Sequence, residues 1–243
     1  RPARSIGRAA ARRLVLGDLV EADDFVFLTA GDALSGVHRK NQLGTIRAFL
    51  AAFPDDPKAR LVVKVHSLDK VDTTSPDHRV WQQVKNIVRE CDRIVLLDRL
   101  LSDDEQSALM EGVDCLVSLH RAEGFGYHML EAMAVGTPVV ATGYSGNADF
   151  CTEASAFLVP YRLVPIERGQ YPRATATQLW AEPDFAGAVA ALRAVRGDAA
   201  ARAAKTAAGR ATAAGAFSFD AYAGRVAARL EELLGRPLPL RGA

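Results

Sequence analysis

Two glutamates eight positions apart, Glu123 and Glu131, flank a turn that carries Gly124 and Gly126. Carboxylates accept hydrogen bonds from vicinal hydroxyls and repel phosphate, so both acids suit the hydroxyl-bearing parts of a ligand. The glycines let backbone approach that ligand closely. The pattern starts a helix near Tyr127, whose first N–H groups and positive end point outward and suit a phosphate. Upstream, Arg39 and Lys40 stand at the expected start of another helix, from about Asn41 to Phe53. Cations are disfavoured at that end of the dipole, so two of them there predict an anionic ligand. Each feature has a plainer reading on its own. Glu123 reads as a helix cap, Glu131 as a solvated helical residue, and Arg39-Lys40 as an exposed helix end. Together with the Gly136-Thr137-Pro138-Val139-Val140 exit, they favour a ligand site.

The elements that must position these residues are legible as short apolar runs alternating with helical patterns. Strands are expected at Phe25–Leu28, Leu61–Val65, Ile94–Leu97, Cys115–Leu119, Val139–Ala141 and Phe157–Val159. Helical spacing covers Val80 to Val88 and Met129 to Val135, and Ser102 with Glu105 forms a capping box that opens another helix. Continuous β-branched runs separated by helices specify a parallel sheet buried on both faces. Right-handed crossovers then make it a doubly wound α/β domain, whose ligands bind in the crevice at the carboxyl ends of the strands. The turn at 123–127 lies at that end. After Pro165 the pattern changes to a polar, proline-containing loop over 166–183. An Ala-rich helical stretch follows from Asp184 to Gly215, and a last amphipathic helix runs from about Asp220 to Leu234.

The chain has 243 residues, with Lys+Arg 30 against Asp+Glu 29 and a formal charge of +1. That balance gives no global field for holding nucleic acid. No apolar run reaches the roughly 18 residues of a membrane span. The first segment is nonetheless basic. Arg4, Arg8 and Arg12 fall at i, i+4, i+8 and form one helical stripe. Peripheral association with a membrane surface is open to such a stripe, but its apolar face is poor, and a solvated linker or helix face is the plainer reading. Cys91, Cys115 and Cys151 are odd in number and widely spaced, which suits buried thiols in a reducing cytoplasm rather than disulfides or a zinc site. The absence of an initial methionine suggests a fragment.

The stretch E-G-F-G-Y-H-M-L-E, residues 123–131, resembles the E-x7-E motif of retaining GT-B glycosyltransferases of the large group 1 (GT4-like) family. The resemblance extends through Ser118–Gly126, Ala141–Phe150 and Trp180–Asp184, and runs from about Phe25 to the Ala-rich helices. Those last segments resemble a branch active in bacterial polysaccharide biosynthesis. The resemblance implies that Glu123 contacts donor-sugar hydroxyls and Glu131 binds the nucleotide ribose. The amides of Gly124, Phe125, Gly126 and Tyr127 then lie along the sugar and diphosphate. Lys40 matches the family's diphosphate-binding lysine. The usual arginine five positions earlier is replaced by Ser35, with Arg39 as a candidate substitute and Asn41 beside it. Ser145, Gly146 and Asn147 are candidates for lining the sugar pocket, although a tight turn also needs Gly and Asn. Asp149 stands in place of a family glutamate. His120 and His128 read as packing or hydrogen-bonding residues, and Trp81 and Trp180 as core.

The expected protein is therefore the C-terminal, Rossmann-like half of a GT-B fold. A basic linker or N-terminal helix would span 1–20, a nucleotide-sugar-binding domain 21–215, and a C-terminal helix and tail 216–243. It would move a hexose-type sugar from a GDP-, UDP- or dTDP-sugar to a glycan or lipid-linked acceptor, in the cytoplasm or at the inner membrane face. The resemblance implies retention of configuration without a cofactor or an obligatory metal. No DxD-like pair is placed to hold a cation, since Asp103-Asp104 opens a helix. The acceptor-binding domain would precede residue 1, leaving the isolated chain largely inactive. Rival readings are a non-catalytic sugar-nucleotide-binding subunit with a partner chain and, more remotely, a glycoside hydrolase with paired carboxylates. A dehydrogenase is disfavoured, because no G-x-G-x-x-G follows the first strand.

Overall fold

A computed structural model describes residues 5–175 and 177–238. Six parallel strands form one sheet: β1 (Phe25–Ala30), β2 (Ala59–Val65), β3 (Ile94–Asp98), β4 (Cys115–Ser118), β5 (Val139–Thr142) and β6 (Phe157–Val159). Their spatial order is β3-β2-β1-β4-β5-β6. Order reverses between β1 and β4, and that switch point opens the crevice. The predicted strands and the doubly wound class are all present, each strand within a few residues of its expected bounds.

Both sheet faces are covered, as the uninterrupted apolar runs require. One face packs Phe27, Val63 and Val117 under α3 (Gln42–Ala52), α4 (Pro76–Glu90) and α7 (Phe185–Gly197). The other packs Leu28, Val62 and Leu116 under α1 (Arg8–Leu16), α5 (Asp103–Gly112) and α6 (Tyr127–Val135). Helix α2 (Val37–Lys40) is a single turn before α3. The Ala-rich stretch breaks at Asp198, whose carboxylate accepts from Ala201 N–H and caps α8 (Ala199–Ala214). Ser102 and Glu105 form the capping box expected for α5. The last helix, α9 (Phe219–Leu234), buries none of its residues, and Phe219, Tyr222, Leu230 and Leu233 stand exposed along it.

Three expectations need correction. The polar loop expected over 166–183 ends in a strand. Residues Tyr161–Pro165 (β7) and Leu179–Pro183 (β8) pair antiparallel as a separate hairpin, with Leu163 opposite Ala181. The signal was faint because one strand is exposed and each is capped by a proline. The solvated reading of the basic stripe fails at Arg12, which is 8% exposed. Its guanidinium donates to Gly112 O at 2.9 Å and Asp24 O at 2.9 Å, and pairs with Asp114 at 2.6 Å. Arg8 meets the same carboxylate at 2.8 Å from a half-exposed position, while Arg4 lies outside the described residues. Finally, Cys115 and Cys151 are buried thiols, but Cys91 is only partly covered.

Arg12 joins α1 to the turn between α5 and β4, so its loss leaves a buried carboxylate and several carbonyls short of a donor. Arg12→Met is expected to cost about 3 kcal/mol or more, and Arg8→Met no more than about 1 kcal/mol. Urea unfolding of the two variants reads the difference, and equal costs would refute the buried role of Arg12.

Candidate donor site at the β4–α6 turn

The turn between β4 and α6 is held from three sides. Arg121 N–H donates to Arg39 O at 2.8 Å, and Ala181 N–H donates to Arg121 O at 2.9 Å. The Arg121 guanidinium forks onto Glu182 at 2.6 and 3.1 Å, donates to His38 O at 2.6 Å, and lies 5.3 Å from the Trp180 ring. On the third side, Glu123 N–H donates to Ser145 Oγ at 3.0 Å, the Ser145 hydroxyl donates back to Glu123 O, and Gly146 N–H reaches the same carbonyl at 3.1 Å. The backbones touch here: a Cβ on Gly146 would stand 2.0 Å from Gly124 O. Ser145 itself takes φ 80, an uncommon conformation for a side-chain-bearing residue.

Within this frame the glycines differ. Gly126 has φ 97, which favours glycine, whereas the Met129 Cε that a Cβ would meet at 2.5 Å is the end of a flexible side chain. A Cβ on Gly124 would meet nothing within 4 Å. The protein itself makes no steric demand there. Phe125 turns inward onto Phe150 and Phe217, with ring centroids at 5.4 and 6.1 Å, whereas Tyr127 is exposed.

The Glu123 carboxylate is nearly covered and is hydrogen-bonded by Lys40 Nζ, with Arg39 Nη1 at 3.5 Å. Burial alone would raise this carboxyl, but the Lys40 hydrogen bond and charge, helped by Arg39, hold it below the ordinary glutamate value. Lys40 and Glu123 line a narrow cavity of about 20 Å³ with Ala30, Ser118, Gly126 and His128. That is room for about one water molecule. His128 is pushed down to about 4, by burial first and by the Lys40 charge second, and is neutral at neutral pH. His120 is fully buried. Its Nε2 faces Tyr144 O at 3.1 Å and Asn147 Oδ1 at 2.9 Å, both acceptors, while Nδ1 faces the Ser118 hydroxyl at 2.9 Å. Burial lowers its pKa too, so it serves as a neutral strut.

The dipole argument for Arg39 and Lys40 does not survive. They occupy the last turn of α2, the end that favours cations, and Asn41 in a left-handed conformation separates them from α3. What places them in the crevice is tertiary. Arg39 donates to Ser35 O at 3.0 Å and to Ala122 O at 2.8 Å, so most of its fork is spent on backbone. Ser35 caps its own turn through Asp32 O. Asn41 donates to Leu119 O at 2.9 Å and Asn147 to Thr142 O at 3.0 Å, both from buried positions. Asp149 is exposed on the short helical turn Gly146–Asp149.

Glu131 stands apart from this cluster. Exposed on α6, it lines a larger groove of about 870 Å³ between α5, α6, α8 and the N-terminal segment with α1, together with Asp104, Ser107 and Arg210. Its carboxyl lies above the ordinary glutamate value, by desolvation first and by Asp103 second. The two acids therefore line two separate cavities. Sequence reading missed the Arg121–Glu182 fork and its Trp180 floor, a contact across 61 residues whose only local trace was the Trp180–Asp184 stretch.

The model for glycosyl transferases group 1 matches residues 24–166, more than half of the chain. No curated protein matches it. Among solved structures, the C-terminal domain of the glycosyl transferase group 1 family protein LpcC from Francisella tularensis aligns over 90% of this chain and 96% of its own, at 15% identity and TM-score 0.64. Anabaena HepE in complex with UDP-glucose aligns over 95% of this chain and 54% of its own, at 19% identity and TM-score 0.67. A glycosyltransferase from Rickettsia africae aligns over 93% and 52%, at 15% identity and TM-score 0.68. The chain thus spans about half the length of the last two proteins. At these identities the likeness shows the fold, the Rossmann-like α/β domain of GT-B C-terminal halves. With the family match, it follows that the chain belongs to the glycosyl transferases group 1 family.

Proposed function

We propose that this chain is the donor-binding half of a retaining, GT4-type glycosyltransferase that moves a hexose-type sugar from a nucleotide-sugar to a glycan or lipid-linked acceptor. One observation carries the reading: Lys40 and Glu123, far apart in sequence, meet at a glycine turn whose Gly124 opens onto free space. In the free protein the two charges satisfy each other. A nucleotide-sugar replaces that pair with two better-matched contacts, its diphosphate on Lys40 and its sugar hydroxyls on Glu123. The amides of Gly124 to Tyr127 and the α6 end add donors for the phosphates. These groups stabilise the charge that grows on the departing diphosphate as the anomeric carbon becomes cationic. Ser145 and Gly146 position the turn, Arg39 and Asn41 hold α2 against it, and Asn147 orients His120. Glu131 grips the ribose from the groove that it lines.

The acceptor half is assigned to another domain, and the exposed apolar stripe of α9 to its interface. Activity of the isolated chain is accordingly low. A role in polysaccharide biosynthesis on the cytoplasmic side accords with the branch resembled. No described helix is long and apolar enough to cross a membrane. A second reading, a sugar-nucleotide-binding subunit without catalysis of its own, rests on the same geometry and is favoured if a separate acceptor-domain protein co-purifies with the chain.

Calorimetry against UDP, GDP, dTDP and their sugar conjugates tests the proposal. At least one should bind, and a chain indifferent to all of them is not a donor domain. Glu131→Ala is expected to weaken every ribonucleotide by about 1–3 kcal/mol, the cost of unpaired ribose hydroxyls. Unchanged UDP and GDP affinities would remove the ribose assignment. Because the Glu131 carboxyl lies above the ordinary glutamate value, affinity should fall as pH drops towards that raised value and the acceptor protonates. Glu131→Gln should flatten this part of the pH profile. Gly146→Ala forces Gly124 O away and should abolish measurable donor binding while the far-ultraviolet dichroism stays native. Retained affinity would show that the turn is not the seat.

A further inference from the structure

Lys64 is 6% exposed near the carboxyl end of β2, a central strand that would ordinarily carry an apolar residue there. It pairs in register with Ala30 on one side and Leu97 on the other, so all three side chains share a sheet face. Ala30 is a wall of the narrow cavity that also holds Lys40, Glu123 and His128. The charges of Lys64 and His66 reach His128 together with those of Lys40 and Glu123. Lys64 therefore lies beside Ala30 at the carboxyl end of the sheet, with β1 between its strand and the β4 that leads into the turn.

Its ammonium forms no hydrogen bond or ion pair among the described residues. Desolvation first and the Arg99 charge second push its pKa below the ordinary lysine value, against the opposing charges of Asp32 and Asp98. Its stem is covered and its ammonium partly desolvated, which carries a cost that methionine would not. An anion arriving in the crevice removes the penalty. The neighbouring cations are already committed: Arg39 to the carbonyls of Ser35 and Ala122, and Arg99 to Glu105 at 2.7 Å. Ser35 offers no charge at all.

We propose that Lys64 is the second cation of the donor site, neutralising one phosphate of the donor diphosphate from below while Lys40 takes the other. The proposal rests on the donor-domain reading above and adds a binding residue to it. Calorimetry on wild type, Lys64→Met and Lys64→Arg tests it, using UDP, GDP, dTDP, the parent nucleosides and inorganic pyrophosphate. In Lys64→Met, the diphosphate that wild type binds and pyrophosphate should both weaken tenfold or more. The nucleoside should stay within twofold, and Lys64→Arg should recover most of the loss. Thermal unfolding of Lys64→Met in the absence of ligand should be at or above the wild-type midpoint, because a partly desolvated charge without a contacting partner has been removed. Diphosphate affinity within twofold of wild type in a folded Lys64→Met overturns the Lys64 assignment and leaves the donor reading standing. A wild type that binds no nucleoside diphosphate overturns both.

Discussion

The Glu123 carboxylate, held under the crevice by Lys40 and Arg39, is the contact on which the rest of the site depends. A carboxylate so nearly covered must have cationic donors, and here they come from a helix more than eighty residues upstream. Satisfying that single group fixes the distance between α2 and the β4–α6 turn. The surrounding polar contacts serve the same geometry. Arg121 ties the turn to α2 and β8, and Ser145 and Gly146 tie it to the end of β5. The turn is therefore set by contacts from α2, β8 and the end of β5 as well as by its own sequence.

The arrangement is also a low-dielectric one, which sharpens every charge in it. His120 and His128 are both held neutral by burial, so neither adds a positive charge to compete with Lys40. The ion pair leaves room for about one water molecule beside it. A ligand reaching the ion pair itself must therefore exchange contacts, while the space beside Gly124 is already open. Such an exchange rewards a molecule that brings an anion and hydroxyl donors together, and rewards neither component as well alone.

Much of the fold was legible because its signals are local. Strands buried on both faces read as unbroken runs such as Leu61-Val62-Val63, and the capping box at Ser102 and Glu105 fixes a helix start within four residues. The switch-point crevice then follows from topology rules alone. The Glu123–Glu131 spacing marked the turn, but not that the two acids face separate cavities. Local reasoning failed where tertiary contacts decide. Arg12 looks like one tooth of a solvated stripe until Asp114 and two carbonyls are folded around it. Arg39 and Lys40 looked like cations opposing a dipole, because the one-turn helix before Asn41 is too short to leave a periodic pattern. The β7–β8 hairpin hid behind prolines and an exposed strand, and with it the Arg121–Glu182 fork.

The backbone contact between Gly146 and Gly124 has a mechanical consequence. With no side chain between them, the connections after β4 and β5 lie at van der Waals distance and share hydrogen bonds, so a shift of one strains the other. A ligand that presses on one connection would load both, as a single stiff rim and not as two independent fingers.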